Sequence, residues 1–440
     1  MLYEFAGYDT AQWPDSYWRA STPAQLSHQA VQGAVRSDVA VIGAGYAGLN
    51  AALELVERFG LRVAVLDAAQ PGWGASGRNG GFCCLGGAKL DAATIARRTG
   101  QDGARAWQDF ELAAIARVRD NLQRYDIDAH ATETGEVLLS HSRNAWARMQ
   151  RDAAQDEAAV LWDRQALLDQ GLNTAAYHGG VYVPHGFGLH PMAYAAGLAR
   201  AARAAGVCIF GNSRVTALQP DGGGWVLDTA TGRVHAKQVL IATNGYSDER
   251  LPRWIARRIL PALSNVMVTR PLSRAELAAQ GWTRQLMAYD ARIMLHYFRL
   301  LPDGRFLFGA RGGLSFAPDA VARFAARARA EFEVIFPAFA QAETQYCWNG
   351  LVCLTGSLAP YIGPVPGAGG LWLALGWHGN GVAAASEGGR RVARALMGEA
   401  SAPPALSRRA PSRFLIPRKA ALRLGMMAAA LRDGPVRPVG

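Results

Sequence analysis

Lysine is almost absent from this chain: Lys89, Lys237 and Lys419 are the whole set. The formal net charge of +11 is therefore nearly all arginine. With the abundant alanine and glycine, that reads as a bias of codon usage. The arginines are scattered, with no basic block interleaved with aromatics, which excludes nucleic acid as the expected partner. Such a surface still attracts anionic substrates. No apolar run approaches the ~20 residues that span a bilayer. The start, Met1-Leu2-Tyr3-Glu4-Phe5, has neither the basic nor the apolar segment of a secretory signal. Five cysteines, Cys83 and Cys84 adjacent, make neither a disulfide framework nor a metal-ligand spacing. No metal is expected, and the cytoplasm is the expected compartment. With 18% charged and 50% hydrophobic residues, the 440-residue chain has room for a large core and two or three domains.

What is present starts with an apolar strand, Asp38-Val39-Ala40-Val41-Ile42, that runs into Gly43-Ala44-Gly45-Tyr46-Ala47-Gly48. A helix follows over 49–59, then a second strand, Arg62-Val63-Ala64-Val65-Leu66, closed by Asp67. Gly43 permits the tight turn, Gly45 lets a pyrophosphate approach the backbone, and Gly48 lets helix and strand pack closely. The helix N-terminus supplies free N–H groups for the phosphates, and Asp67 stands where an acid binds the ribose hydroxyls. An acid there would repel the 2′-phosphate of NADP. The unit predicts a dinucleotide and leaves open which one.

Helical periodicity predicts helices over 91–127 and 143–171. Residues 181–245 mix a short strand, a helix near 191–205 and strands that end in Gln238-Val239-Leu240-Ile241-Ala242-Thr243. Strands are expected at 293–300 and 305–309, a helix at 319–336, and strand, glycine loop and helix again over 371–398. The tail from Ser401 is rich in proline and arginine, with one amphipathic stretch at 419–432.

Just beyond Asp67 lies Gly72-Trp73-Gly74-Ala75-Ser76-Gly77-Arg78-Asn79-Gly80-Gly81, small residues that let a backbone wrap a ligand. This run resembles a segment of the D-amino-acid-oxidase-like flavoproteins, where it follows the pyrophosphate and the flavin ring. Val239 to Gly245 is similar to that superfamily's returning strand, and Gly376-Trp377-His378-Gly379-Asn380-Gly381 to its C-terminal loop. The order of Ser16-Tyr17-Trp18, the glycine run, Tyr297 to Leu300, Trp348-Asn349-Gly350, Pro360 to Gly363 and the tail resembles the gamma-glutamylputrescine oxidase-like branch.

The resemblance implies an α/β fold, a Rossmann-type FAD-binding domain with a second, antiparallel-sheet substrate domain. The FAD-binding segments are expected at 37–90, 181–245 and 346–400, the substrate domain at 91–180 (with a helical insertion) and 246–345, and a tail at 401–440. It implies non-covalent FAD held by Gly43, Gly45, Tyr46, Ala47, Gly48 and Asp67, and by Ala75, Ser76, Arg78, Asn79, Gly80 and Gly81. Val215, Thr243, Gly245 and Gly350 join them, as do Gly376, Gly379, Asn380 and Gly381, whose helix N-terminus would stabilise reduced flavin. The chain departs from the family where Asn380 fills a slot usually held by histidine, with His378 two places earlier. Asp67 replaces a more usual glutamate, and Cys83-Cys84 replace polar residues.

Amine oxidation by flavin needs above all a positioned substrate. Arg299 is the expected anchor for a substrate carboxylate, since its planar guanidinium binds one bidentately. His296 and Tyr297 alternate along the same strand, so one faces the cavity and the other the core. His296 is carried as a candidate, with Trp377 as a wall of the amine pocket and His378 as a proton acceptor. Cys347 and Cys353 do not match the pattern for covalent flavin attachment. The expected function is an FAD-dependent oxidase of a primary or secondary amine, an amino acid or a gamma-glutamyl-capped amine, giving an imine, then aldehyde and hydrogen peroxide. Molecular oxygen or another carrier takes the electrons. The alternative is a dehydrogenase of a sarcosine- or glycine-like amino acid, and a reading of another class is a flavin-binding or nucleic-acid-associated protein without turnover. The tail helix is expected to dock on the FAD domain rather than lie on a membrane.

Overall fold

A computed structural model describes residues 2–22, 27–132, 135–154, 159–399 and 402–439. Two eight-stranded sheets organise the chain. In the first, Gly33–Ile42 lies between Val63–Leu66 and Gly232–Ile241, parallel to both, and Cys208–Phe210 and Leu371–Leu375 extend the parallel run on either side. Val39 and Val41, with Ala40 between them, are buried on both faces, as a near-continuous apolar strand requires. Helices Tyr46–Phe59, Ala92–Arg124, Pro191–Ala204 and Gly381–Leu396 share one core cluster on one face of this sheet. The opposite face packs in a second cluster with the strand pair Ala217–Asp221 and Gly224–Asp228.

The second sheet runs Thr344–Thr355, Ile259–Pro271, Arg305–Arg311, His296–Leu300, Met287–Asp290, Glu136–Leu139, Gly179–Val183, Val160–Asp163. All its neighbours are antiparallel except Met287–Asp290 with Glu136–Leu139. One face buries Phe298, Phe306 and Phe308 against Phe332, Phe336 and Phe339 of the helix Pro318–Ile335 and the turn after it. Edge-to-face and stacked ring pairs fill that layer.

The chain order crosses between sheets where the sequence gives no mark. Thr344–Thr355 pairs along its length with Ile259–Pro271, so a boundary at 346 falls inside a strand of the antiparallel sheet. Within 91–180, the helix Ala92–Arg124 joins the core of the parallel sheet through Trp107, Phe110 and Val118. Gly179–Val183, expected with the parallel sheet, belongs to the other one. The helix expected over 143–171 is two, Arg143–Ala153 and Arg164–Asp169, with the strand Val160–Asp163 between them and 155–158 outside the described residues. The tail helix Arg418–Asp433 docks elsewhere than expected. Leu422 packs with Tyr3, Tyr8, Leu260, Leu263 and Leu351, so it lies over the antiparallel sheet and the N-terminal segment. The Arg418 guanidinium donates to the Ile259 carbonyl at 2.8 Å.

Strand alternation settles which of His296 and Tyr297 faces the cavity. His296 points to the helix side, where its ring stacks on Phe308. Nδ1 meets Asp290 at 2.8 Å and Nε2 meets Glu331 at 3.0 Å. Burial opposes charge on this ring, but the two carboxylates outweigh it and raise its pKa to about 9. A folded-state pKa above the unfolded value of 6.5 stabilises fully below the latter and is lost as pH rises through about 9. Urea melts across that window will show stability falling with pH in the wild type and a flattened slope in His296→Gln.

Candidate active site

The glycine turn leaves the C-terminal end of the central parallel strand. Gly43 adopts φ +106°, and a Cβ on Gly48 would stand 1.9 Å from the Gly43 carbonyl oxygen. Helix and turn thus touch backbone to backbone, which only glycine allows. The helix Tyr46–Phe59 begins at Gly45 without a side-chain cap, and Gly45, Tyr46 and Ala47 line one long cavity. Asp67 lines it too, its carboxylate accepting from the N–H groups of Ala44 at 2.8 Å and Ala69 at 2.9 Å.

Along the second glycine run, Ala75, Ser76, Arg78, Asn79 and Gly80 border the same cavity. Ser76 Oγ accepts from the Tyr46 N–H at 3.1 Å and ties this run to the first turn. The side chains of Arg78 and Asn79 are spent largely on their own loop. Arg78 Nε donates to the Trp73 carbonyl at 2.7 Å, and the guanidinium lies over the Trp73 ring. Asn79 donates to the carbonyls of Ala75 and Ser76 and accepts from the Gly81 N–H. Trp18 and Trp348 donate their indole N–H groups to the carbonyls of Asn79 and Arg78.

At the far wall, Gly350, Trp377, Gly379, Asn380 and Gly381 reach the cavity, and Val215 and Thr243 line it as well. The helix Gly381–Leu396 also starts without a side-chain cap. Asn380, at its N-cap, donates instead to the Leu85 carbonyl at 2.8 Å and to Cys84 Sγ. Two uncapped helix N-termini therefore open on one cavity. That arrangement fits FAD, with a pyrophosphate at one and a ring that gains negative charge on reduction at the other.

Gly48, Gly81, Gly245 and Gly376 stand behind this lining and shape it through close packing. A Cβ on Gly81 would lie 2.0 Å from the Leu189 carbonyl oxygen, and one on Gly376 would lie 2.3 Å from Thr355 Cγ2. Gly245 packs on Leu351.

Three expected catalytic side chains lie off the cavity. Arg299 shares the cavity-side face of its strand with Tyr297, but Gly80–Gly81 and Leu189 cover it. It is 1% exposed, with Nε donating to the Gly80 carbonyl at 3.1 Å and Nη2 to the Leu189 carbonyl at 2.6 Å. Its charge is used up on backbone, so it is no free carboxylate anchor. His296 is on the opposite face of the sheet, as described. His378 is wholly buried, Nδ1 bonded to the Gly87 carbonyl at 2.8 Å and Nε2 accepting from the Thr355 N–H at 3.1 Å. Burial holds its pKa down near 4, so the ring is neutral with both nitrogens engaged, and it braces the loop. Trp377 meets the cavity at its edge while its ring packs over Gly388.

The cavity face of the antiparallel sheet presents Tyr297, Tyr289, Ser264 and Arg311. Gly309 lets the Tyr297 ring lie flat on its neighbour strand, since a Cβ there would be 2.0 Å from the ring. The Tyr297 hydroxyl meets Ser264 Oγ at 3.1 Å. Arg311 closes the strand, its Nη2 donating at 3.4 Å to the His378 carbonyl. Lys89 lines the same cavity. Arg311 was legible only through parity, since Phe306, Phe308 and Ala310 are the apolar face, which leaves Arg311 on the other; Lys89 lies on an irregular segment and carries no such signal. Cys353 is also at the cavity, its thiol pushed up to about 12 by burial and thus unreactive as a nucleophile.

Residues 38–395 match the family described as FAD dependent oxidoreductase. The chain belongs to this family. Its relatives include a probable oxidoreductase OrdL of Haemophilus influenzae, 32% identical over 82% of this chain and 83% of the relative. The gamma-glutamylputrescine oxidoreductase of Escherichia coli strain K12 is 30% identical over 88% of this chain and 89% of its own. Among solved structures, glycine oxidase from Geobacillus kaustophilus superposes with a TM-score of 0.68 at 25% identity, over 82% of this chain and 95% of that one. The protein is an FAD-dependent oxidoreductase.

Because Arg299 clasps the glycine run, Arg299→Ala leaves two buried carbonyls without a donor, at a cost of about 3 kcal/mol. A lowered melting temperature and faster loss of flavin on gel filtration are expected. The preference for carboxylated over uncarboxylated amines stays as in the wild type.

Proposed function

We propose that this enzyme oxidises a primary or secondary amine that carries a carboxylate, with Arg311 rather than Arg299 as the anchor. The observation that carries this reading is the Arg311 guanidinium, set in the cavity wall with a single long bond to a backbone carbonyl. Its fork leaves donors free for a bidentate carboxylate. The name of the Escherichia coli relative supports a gamma-glutamyl-capped amine, and the glycine oxidase likeness supports a simple amino acid.

Bound FAD supplies a two-electron acceptor for the hydride on the substrate's α-carbon, so that the C–N bond becomes an imine that water hydrolyses to a carbonyl compound. The chain's own task is placement. Arg311 fixes the carboxylate, the Tyr297 ring floors the pocket, and the Tyr297–Ser264 pair orients a polar group of the substrate. Trp377 closes the edge. Neither candidate histidine is free to act as a base, both being committed to structural bonds, and hydride loss from a neutral amine gives the iminium without one. FAD is held without a covalent bond, because burial keeps the cavity cysteines Cys84 and Cys353 as protonated thiols. Oxygen is the proposed acceptor, and five free cysteines suit a reducing cytoplasm.

Anaerobic flavin bleaching with gamma-glutamylputrescine, sarcosine and glycine tests the amine, and an oxygen electrode tests the acceptor. Peroxide equal to the carbonyl product is expected. Bleaching without oxygen uptake would establish the dehydrogenase instead. Arg311→Met should raise the half-saturating concentration of carboxylated amines about 100-fold, the loss of a charge-assisted pair, and that of uncarboxylated amines little. Equal effects on both would remove Arg311 as the anchor.

A further inference from the structure

Lys89 is brought into the cavity by a segment that only glycine could shape. Gly86 and Gly87 have φ of +129° and +122°, and a Cβ on Gly86 would lie 2.6 Å from the Asn380 side chain. The backbone thus crosses the N-terminus of the helix Gly381–Leu396 in close contact. It is then pinned where the Lys89 N–H donates to the Leu358 carbonyl at 2.8 Å. His378 Nδ1 holds the Gly87 carbonyl from the other side. Lys89 and Arg311 consequently line one cavity.

No ion pair of Lys89 or Arg311 occurs among the described residues. The titratable groups around them do not supply one. Cys84 is a buried thiol held far above its usual pKa, and Glu136, next to it, is raised by burial to about 8 and is uncharged at neutral pH. His378 is neutral. Asp290, whose field reaches Arg311, is bonded to His296 and Tyr177 behind the sheet. Tyr297 and Tyr289 are phenols with raised pKa values. Arg311 is half-buried and Lys89 is exposed within the same cavity; the two cations repel each other and lack a counter-charge, an arrangement that an anionic ligand relieves. Burial and the Arg311 charge indeed lower the Lys89 pKa to about 7.

A bidentate carboxylate satisfies Arg311 alone and leaves Lys89 unanswered. We infer that the preferred substrate is an amino dicarboxylate, one carboxylate on Arg311 and the second on Lys89. The inference rests on the proposed amine oxidation and narrows its substrate class.

The test compares matched pairs on the holoenzyme: anaerobic flavin reduction by aspartate and N-carboxymethylglycine against asparagine and sarcosine. Half-saturation at least about 10-fold lower for the dicarboxylate of each pair is expected, with that preference abolished in Lys89→Met. Equal half-saturation within each pair overturns the inference. So does a Lys89→Met variant in which both members of a pair weaken alike, since one carboxylate would then be shared. Calorimetry with malonate, an unreactive dicarboxylate, in two buffers of different ionisation enthalpy gives a second readout. Proton uptake onto Lys89 near pH 7, lost in Lys89→Met, supports the site; malonate affinity equal in the wild type and Lys89→Met overturns it. If no amine reduces the flavin, the proposed function fails, and the calorimetry still decides the two-cation site.

Discussion

The buried guanidinium of Arg299 clamps together the pieces of chain from which the site is made. It grips the Gly80 carbonyl in the glycine run and the Leu189 carbonyl ahead of the helix Pro191–Ala204, while its own strand belongs to the antiparallel sheet. A Cβ on Gly188 would come within 2.3 Å of one of its nitrogens, so the clamp and its glycines form one fitted unit. Together with Trp348, which donates to the Arg78 carbonyl, it sets the distance of the glycine run from the sheet that carries Tyr297 and Arg311. A buried cation satisfied by carbonyl dipoles and the face of the Trp18 ring is an expensive joint, and its removal strands its acceptors.

Around the cavity, burial sorts the ionisable groups into silent and active ones. His378, Cys353 and Glu136 all move toward their neutral forms, and the first two have their polar atoms directed at backbone. What stays positive is Arg311, with Lys89 poised near neutrality, and the N-terminus of the helix Gly381–Leu396 adds its partial charge. The field of the cavity is therefore positive where an anionic substrate and a reduced flavin would sit. A surface rich in arginine guides such a ligand inward.

Much of the fold was legible locally. The strand 38–42, the glycine turn and the helix after it carry their signal in consecutive residues, because a backbone that must approach backbone can tolerate only glycine at fixed steps. The helix Pro318–Ile335 and the pair of strands His296–Leu300 and Arg305–Arg311 were legible for the same kind of reason, a period repeated over many residues. Sheet membership was not. Thr344–Thr355 and Gly179–Val183 look like any apolar strand, and which sheet takes them is decided by pairing partners far along the chain. The tail helix likewise has a readable amphipathic pattern, but its docking site is formed by Tyr3, Tyr8 and Leu260, which no spacing connects to it.

The sequence by itself pointed to a dinucleotide through the turn Gly43 to Gly48, and the resemblance carried by 72–81 and 376–381 pointed to FAD, since those motifs are short and contiguous. Only the tertiary structure decided which arginine opens on the cavity. Arg299 and Arg311 are both arginines on the same face of adjacent strands, and strand parity cannot separate them. The difference lies in what covers each: Gly81 and Leu189 close over Arg299, while Arg311 opens on the cavity. Cover is a property of segments more than a hundred residues apart, and it exists only once both sheets are in place.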